Sequence, residues 1–258
     1  PVGDYAGHVF DWRDICLSLP PNQKEAPDAR SFVEHELKQL AIGAGAMKDG
    51  LFTGYYEPEL HAGRTQHARY QTPVYGLPND LVSVDLGAFR DALKGERIAG
   101  RVESQKLVPY DTRAEIDAHG LKSSRILFYG DDPVSVFFLH IQGSGRVVFD
   151  DGSVSRAAYA GQNGHPYTAI GKTLIKMGAL KRENVSMQSI AAWLRVHPGK
   201  ARAVMESDAS YIFFKETPLG DPALGSPGTE NVPLTPQASI AIDTKVHALG
   251  VPFYIATR

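Results

Sequence analysis

The sequence predicts a mainly β, α+β fold built in two parts, and three observations predict it. Runs rich in β-branched and aromatic residues recur at Leu51–Leu60, Val134–Gln142, Arg146–Asp150, Ser210–Lys215, Ser239–Asp243 and Val251–Ile255. Sustained helical spacing of apolar residues is confined to residues 28–40 and, after His165, to residues 170–196. Between residues 217 and 236, five prolines and three glycines break any periodicity, and β character then resumes.

Residues 1–27 read as loop, with Trp12 and Cys16 expected to be buried. Asp28 is placed to cap a helix through Leu40, with Val33, Leu37 and Leu40 on one face. Leu51–Leu60 alternates well enough for a strand, which Pro58 ends or sets on an edge. Thr53, Tyr55 and Glu57 would share one of its faces, with Gly54 beside them. That face suits a sugar platform, and an aromatic edge strand accounts for the same pattern. Leu86, Phe89 and Leu93 predict a short helix, and Thr112-x-x-Glu115 is a capping box opening a turn that carries Ile116.

The run Val134–Gln142 reads as a central strand. Phe137, Leu139 and Ile141 keep one face apolar, while the other passes from Val134, Val136 and Phe138 to His140 and Gln142. Polar groups delivered to a strand end, followed by Gly143-Ser144-Gly145, have the form of a cleft wall. Glycine admits a ligand close to the backbone, and Gln142 and Ser144 offer donors and acceptors. Asp151-Gly152 signals a hairpin, and Gly161-Gln-Asn-Gly-His165 is a second polar, glycine-bracketed turn. Two ordinary β-turns explain the local pattern as well. Ile170, Leu174 and Met177 define a helix closed by Gly178, and Met187, Ile190, Ala191 and Leu194 define another, stopped at His197-Pro198. The methionines read as core.

With 258 residues and 43% hydrophobic content, the chain can build one large domain or two. A net charge of −2 suggests no nucleic-acid or anionic-membrane surface. No apolar run approaches transmembrane length. The opening Pro-Val-Gly-Asp is not a signal peptide, so the chain reads as cytosolic or as having lost a leader. A single Cys16 excludes an internal disulfide, and nine histidines without His-x-x-x-His or Cys-x-x-Cys spacing leave no expected metal or cofactor. Gly-x-Ser-x-Gly is absent, and Cys16 between Ile15 and Leu17 reads as a structural thiol rather than a nucleophile. A groove chemistry remains: aromatic faces (Tyr55, Tyr56, Tyr159, Tyr167), amides (Gln142, Gln162, Asn163, Gln188) and carboxylates (Glu57, Asp131, Asp132, Asp243). Such a rim suits a neutral polysaccharide. Glycosidic cleavage needs a carboxyl group held protonated by its surroundings, and spacing alone does not say which one.

Five motifs occur in order: Phe52-Thr-Gly-Tyr-Tyr-Glu-Pro58, Ile141-Gln-Gly-Ser-Gly145, Tyr159-Ala-Gly-Gln-Asn-Gly-His165, Ser186-Met-Gln-Ser189 and Ser239-Ile-Ala-Ile-Asp243. With them the chain resembles, from about Trp12 to Arg258, the membrane-bound lytic murein transglycosylase A family of bacterial cell-wall enzymes. The resemblance implies cleavage of the β-1,4 bond between N-acetylmuramic acid and N-acetylglucosamine in peptidoglycan, without water, leaving a 1,6-anhydro-muramyl end. It implies a double-psi β-barrel from residues 1–57 and 221–258, a β-rich domain inserted at 58–220, and glycan lying between them. A single Asp would act first as acid and then as base. The substrate-binding role carries over to Thr53, Gly54, Tyr55, Tyr56, Gln142, Ser144, Asn163, Gln188 and Asp243; of these, Thr53, Tyr55, Gln142, Ser144, Asn163, Gln188 and Asp243 are expected to converge, Thr53 and Asp243 across a cleft from Gln142 and Ser144. The family's catalytic Asp follows the Asp243 motif, near an Asp-x-Gly-Gly-Ala-Ile stretch that these 258 residues do not contain. The acid is therefore expected beyond Arg258, with Asp243 as a supporting carboxylate and the best candidate within the chain. A peptidoglycan-binding module without activity is the alternative. The resemblance further implies a periplasmic monomer, tethered to the outer membrane through a lipid anchor on a removed leader, with glycan strands as partner.

Overall fold

The computed structural model describes residues 6–18, 29–38, 40, 54, 57–221, 223–243 and 247–255. The chain divides into two units, Pro1–Gly54 with Thr235–Arg258, and Tyr55–Leu234. In the first lie two helices, α1 (Val9–Ser18) and α2 (Ala29–Glu36). The second carries strands β1 (Glu59–Gly63), β2 (Thr72–Tyr75), β3 (Val82–Asp85), β4 (Arg97–Glu103) and β5 (Lys106–Pro109). Helix α3 (Arg113–His119), β6 (Ile126–Gly130), α4 (Pro133–Gln142), β7 (Gly145–Phe149) and β8 (Val154–Gln162) follow. Helices α5 (Ile170–Lys176), α6 (Met187–Val196) and α7 (Pro198–Glu206) then lead to β9 (Ile212–Pro218). The fold is mixed α+β.

Six strands form one sheet in the order β2-β6-β1-β7-β8-β9, and β3-β4-β5 form a second. Within the large sheet, β1 and β7 pair in parallel and the other neighbours antiparallel. A parallel pair requires a long crossover, and α4 lies within it. One face of α4, with Val136 and Leu139, packs on the sheet residues Leu60, Ala62, Val74, Phe128, Val147, Phe149, Ala157 and Phe214. Its other face places Val134 and Phe137 among Ile170, Leu174, Ile190, Leu194 and Val204 of the late helices. Two glycines permit this close approach. A Cβ on Gly130 would stand 2.4 Å from Val136, and one on Gly145 2.6 Å from Leu139 and 2.8 Å from the Pro58 carbonyl.

The central strand expected over Val134–Gln142 is therefore a helix. A helix buried on every side loses its polar stripe, and its sequence becomes a continuous apolar run that period alone cannot distinguish from a strand. The capping signals are nonetheless present. The Asp132 side chain accepts from the Val134 N–H at 3.0 Å, Pro133 occupies the first turn, and Gly143 closes the helix in the left-handed region at φ 76°.

Elsewhere local signals are obeyed. The Thr112–Glu115 capping box opens α3, Gly178 at φ 69° follows α5, and Asp151-Gly152 turns the β7–β8 hairpin. Other expectations need correction. Residues 9–18 are helical, and Cys16 is exposed, because the apolar residues of α1 encircle the helix instead of forming one stripe. The second helix stops at Glu36, leaving Leu40 exposed, and Asp28 lies outside the described residues. The helix expected over Leu86–Leu93 is two short 3-10 turns separated at Phe89, which is exposed. Met177 is exposed rather than in the core. Among the described residues, Ser239–Asp243 and Val251–Ile255 join no ladder, and a strand needs a hydrogen-bonded neighbour to persist. No helix among the described residues is long and apolar enough to cross a membrane.

Candidate functional site

The Ile141–Gly145 motif is the end of α4 and the turn into β7. Gly143 donates to the Leu139 carbonyl at 2.8 Å, which ends the helix and leaves Gln142 and Ser144 half-buried on either side of it. Tyr159 of β8 lies next to the turn, 4.0 Å from where a Gly143 Cβ would be, and is 53% exposed. An amide, a hydroxyl and an accessible aromatic ring thus share one patch. Polar tips beside an aromatic face are suited to a sugar ring, which presents hydroxyls at its edge and C–H groups on its face.

The second polar turn is built differently. Asn163 is wholly buried. Its Nδ2 donates to the Asp111 and Ala209 carbonyls, each at 2.9 Å, and its Oδ1 accepts from the Tyr211 N–H at 2.9 Å and the His165 N–H at 3.4 Å. Asn163 therefore joins three distant segments and presents nothing to a ligand, contrary to the substrate-binding role expected of it. His165 points inward too, its Nε2 bonding the Tyr110 carbonyl at 2.7 Å.

Between the end of α4, the end of β8 and the start of β9 lies a cavity of about 140 Å³. Its rim is Ile141, Gln162, Tyr167 and Ile212, and its floor is the buried set Arg113, His140, Asp208 and Ser210. Arg113 donates to the Asp208 and Ser210 carbonyls at 3.1 and 2.6 Å, and its guanidinium lies against the rings of Phe137 and Tyr211. Asp208 Oδ1 accepts from the Thr168 and Ser210 N–H groups at 2.8 and 3.3 Å, while Oδ2 stands 3.9 Å from Arg113. Burial, reinforced by the Arg113 charge, holds the His140 pKa well below its ordinary value, so the ring is neutral. Burial likewise lowers Arg113 and raises the Tyr211 phenol. None of the floor residues was singled out as a ligand-binding group, although the change of polarity at His140 marks the place.

Glu57, taken from sequence as a rim carboxylate, is instead ion-paired inside the large unit. Arg156 donates to its two carboxylate oxygens at 2.8 and 3.4 Å, and to the Leu219 and Leu224 carbonyls at 3.2 and 3.3 Å. This one buried guanidinium ties the incoming chain to the outgoing one. Asp132 is likewise committed, to the α4 cap and to Arg195 at 2.8 Å, and these bonds hold its pKa below the usual range against the opposing effect of burial. Gln188 is exposed on the first turn of α6. Gly54 and Asp243, both exposed, belong to the other unit, and Thr53, Tyr55 and Tyr56 lie outside the described residues. Among the residues expected to converge, Gln142 and Ser144 share a turn. The structure sets Tyr159, one of the expected groove aromatics, beside that turn, and adds the cavity behind the end of α4.

Residues 51–215 match the family described as the MltA specific insert domain. The chain is 35% identical over 259 aligned positions to the membrane-bound lytic murein transglycosylase A of Escherichia coli K12, covering 95% of this chain and 63% of that protein. The crystal structure of MltA from Neisseria gonorrhoeae superposes with a TM-score of 0.66 at 34% identity, over 74% of this chain and 55% of that one. The E. coli MltA structure with bound chitohexaose gives 0.58 at 32% identity, over 75% and 49%. The chain thus spans a little under two thirds of the curated relative it matches and carries the family's insert domain nearly entirely within its larger unit. It belongs to the membrane-bound lytic murein transglycosylase A (MltA) family.

Proposed function

We propose that the chain serves a lytic transglycosylase that cleaves the β-1,4 bond between N-acetylmuramic acid and N-acetylglucosamine in peptidoglycan, forming 1,6-anhydro-muramyl ends. The observation that carries this reading is the Gln142–Ser144 turn with Tyr159 beside it, in a chain whose E. coli relative is known with chitohexaose bound. Tyr159 supplies a face for a sugar ring, and Gln142 and Ser144 supply hydrogen bonds to its edge. Residues 58–220 then act as the inserted glycan-binding domain, and 1–57 with 221–258 contribute to a double-psi β-barrel. A single Asp serves both as acid to the glycosidic oxygen and as base to the muramyl 6-hydroxyl, because that internal hydroxyl replaces the water an inverting enzyme must activate. Asp243 supports it by stabilising positive charge at the anomeric carbon. The relatives' name supports a periplasmic location with attachment to the outer membrane, and we take the active form to be a monomer.

Digestion of purified murein, read by mass spectrometry, tests the reading. Anhydro-muropeptides are expected. Reducing-end products would make the protein a hydrolase, and binding without product would make the chain a peptidoglycan-binding module.

A further inference from the structure

We infer that the outer surface of α5 and α7, with the turn that follows α5, is a docking face for an anionic phospholipid bilayer. The inference goes beyond the glycan reading above and does not rest on it.

Charge is segregated along this chain. Residues 170–206 hold seven lysines and arginines against two glutamates, so within a net charge of −2 this stretch is strongly basic and the remainder acidic. Arg195 is committed to Asp132 at 2.8 Å, and Arg202 to Glu206 at 2.6 Å. Lys172, Lys176, Lys181, Arg182 and Lys200 are exposed and make no ion pair among the described residues, and Glu183 is the remaining carboxylate of the stretch. Packing brings these cations to one side. Ile170 and Leu174 turn one face of α5 into the core shared with α4, α6 and α7, which leaves Lys172 and Lys176, one turn apart, on the outer face. Thr173 Oγ1 lies 3.0 Å from Ser207 Oγ, so the flank of α7 that carries Ser207 faces α5. Lys200 stands two turns before Ser207 on that same flank, its charge set towards the α5 lysines.

Lysines alone fit any polyanion, and the apolar side chains among them decide between polyanions. Met177, which closes α5 between Lys176 and Lys181, is 49% exposed, and Ile175 before it is exposed too. Val196, at the junction of α6 and α7 ahead of Lys200, is 71% exposed. A bilayer accommodates both kinds of group at once. Its anionic head groups take the ammonium ends, while the acyl boundary takes the methionine, isoleucine and valine together with the lysine stems. A soluble polyanion leaves the apolar groups in water.

Co-sedimentation of the whole chain with phosphatidylcholine vesicles, with and without about one-third phosphatidylglycerol, tests the assignment. Binding is expected to the anionic vesicles only, and it should weaken at least about tenfold as salt rises from about 0.05 to 0.5 M. A basic group near an anionic surface is worth about fivefold, so Lys172→Gln with Lys176→Gln should lower partitioning about twentyfold at an unchanged unfolding midpoint. Met177→Ser leaves the charge alone and should lower it about fivefold. Arg90→Gln with Lys106→Gln removes the same charge from exposed positions outside the face and should bind like wild type. Equal losses in the two pairs would mean that net charge governs binding, and would overturn the face. Equal binding to neutral and anionic vesicles, or binding to neither, would overturn it as well. Full affinity in Met177→Ser would reduce the contact to charge and overturn the bilayer as its occupant. Absent vesicle binding, a salt-sensitive association with purified murein that the lysine pair weakens would give the face to murein carboxylates instead. Murein digestion without vesicles should proceed alike in wild type and in these variants, so a failure here leaves the glycan reading standing.

Discussion

The turns at Ile141–Gly145 and Gly161–His165 are close analogues in sequence: each sets polar side chains between glycines at the end of a secondary-structure element. In the structure they do opposite things. The first leaves Gln142 and Ser144 half-buried beside an exposed tyrosine, whereas the second turns Asn163 fully inward and uses both ends of its amide on backbone groups 46 to 52 residues away. Polar residues bracketed by glycine mark a place where the backbone bends and side chains have work to do. Whether that work faces solvent or the interior depends on which backbone groups the fold has left unsatisfied nearby.

Removing Asn163 should break the comparison most visibly. Asn163→Ala strands the Asp111 carbonyl and the Tyr211 N–H in the interior, at about 1–3 kcal/mol for each unsatisfied group, and takes from the Ala209 carbonyl one of its two donors, the Arg113 N–H remaining. A loss of about 4 kcal/mol or more is expected in chemical denaturation, with oligosaccharide affinity intact in whatever fraction stays folded. A variant that unfolds normally but no longer binds glycan would mean that Asn163 contacts the ligand after all.

Glu57→Gln comes next and extends the contrast to the first motif, whose carboxylate is also turned inward. It leaves Arg156 buried without its counter-charge, and one-sided removal of a buried pair costs about 3–5 kcal/mol. We expect the lower end, about 3 kcal/mol, since Arg156 keeps its two carbonyl partners. Thermal unfolding measures it, and an unchanged midpoint would remove the claim that Arg156 joins the incoming and outgoing segments.

At the exposed turn the sign of the contrast reverses. Gln142→Ala should leave unfolding within about 0.5 kcal/mol of wild type, and Gln142→Ala and Ser144→Ala should each lower chitohexaose affinity about tenfold, the worth of one hydrogen bond to a ligand. Titration calorimetry separates the two quantities. Full affinity in both variants would move glycan binding away from this turn.

How much of this was legible in the sequence follows from the range of the interactions involved. The capping box at Thr112, the closing Gly178 and the Asp151-Gly152 hairpin span a few residues and were read correctly. Helix α4 was misread because burial on both faces erased the polar stripe that reveals a helix, although Asp132-Pro133 and Gly143 carried the caps. Gln142 and Ser144 could be singled out because Gly143 follows the one and Gly143 and Gly145 bracket the other. Arg113 and Asp208 could not, since the bond from Arg113 to the Asp208 carbonyl joins residues 95 apart and depends on how β9 enters the sheet. Asp243 and Gln188 stand among the carboxylates and amides of the expected groove, but their binding roles come from the resemblance and rest on the proposed function.

The smallest expected effect concerns the boundary between the two turns, at the residue just before the exposed motif. His140 is buried and neutral, with its pKa well below 6.5 because of burial and then Arg113. In the unfolded chain it takes up a proton near its ordinary pKa of about 6.5. Below that pH the unfolded state therefore binds more protons than the folded one, and stability falls as the solution is acidified. Above about pH 7 the contribution is fully present, and it shrinks continuously as pH drops towards the lowered folded value. One such group gives a slope of at most about 1.4 kcal/mol per pH unit, so about 1 kcal/mol should be lost between pH 7 and 5.5. Asp132, Asp151 and Glu216, whose pKa values are lowered, act in the same direction but in the more acidic range where unfolded carboxyl groups titrate. The difference between wild type and His140→Phe in denaturant midpoints across pH 5.5–7 isolates the histidine. A flat difference would mean that the ring gains a proton in the folded state, and with it that the cavity floor is wetter than its burial implies.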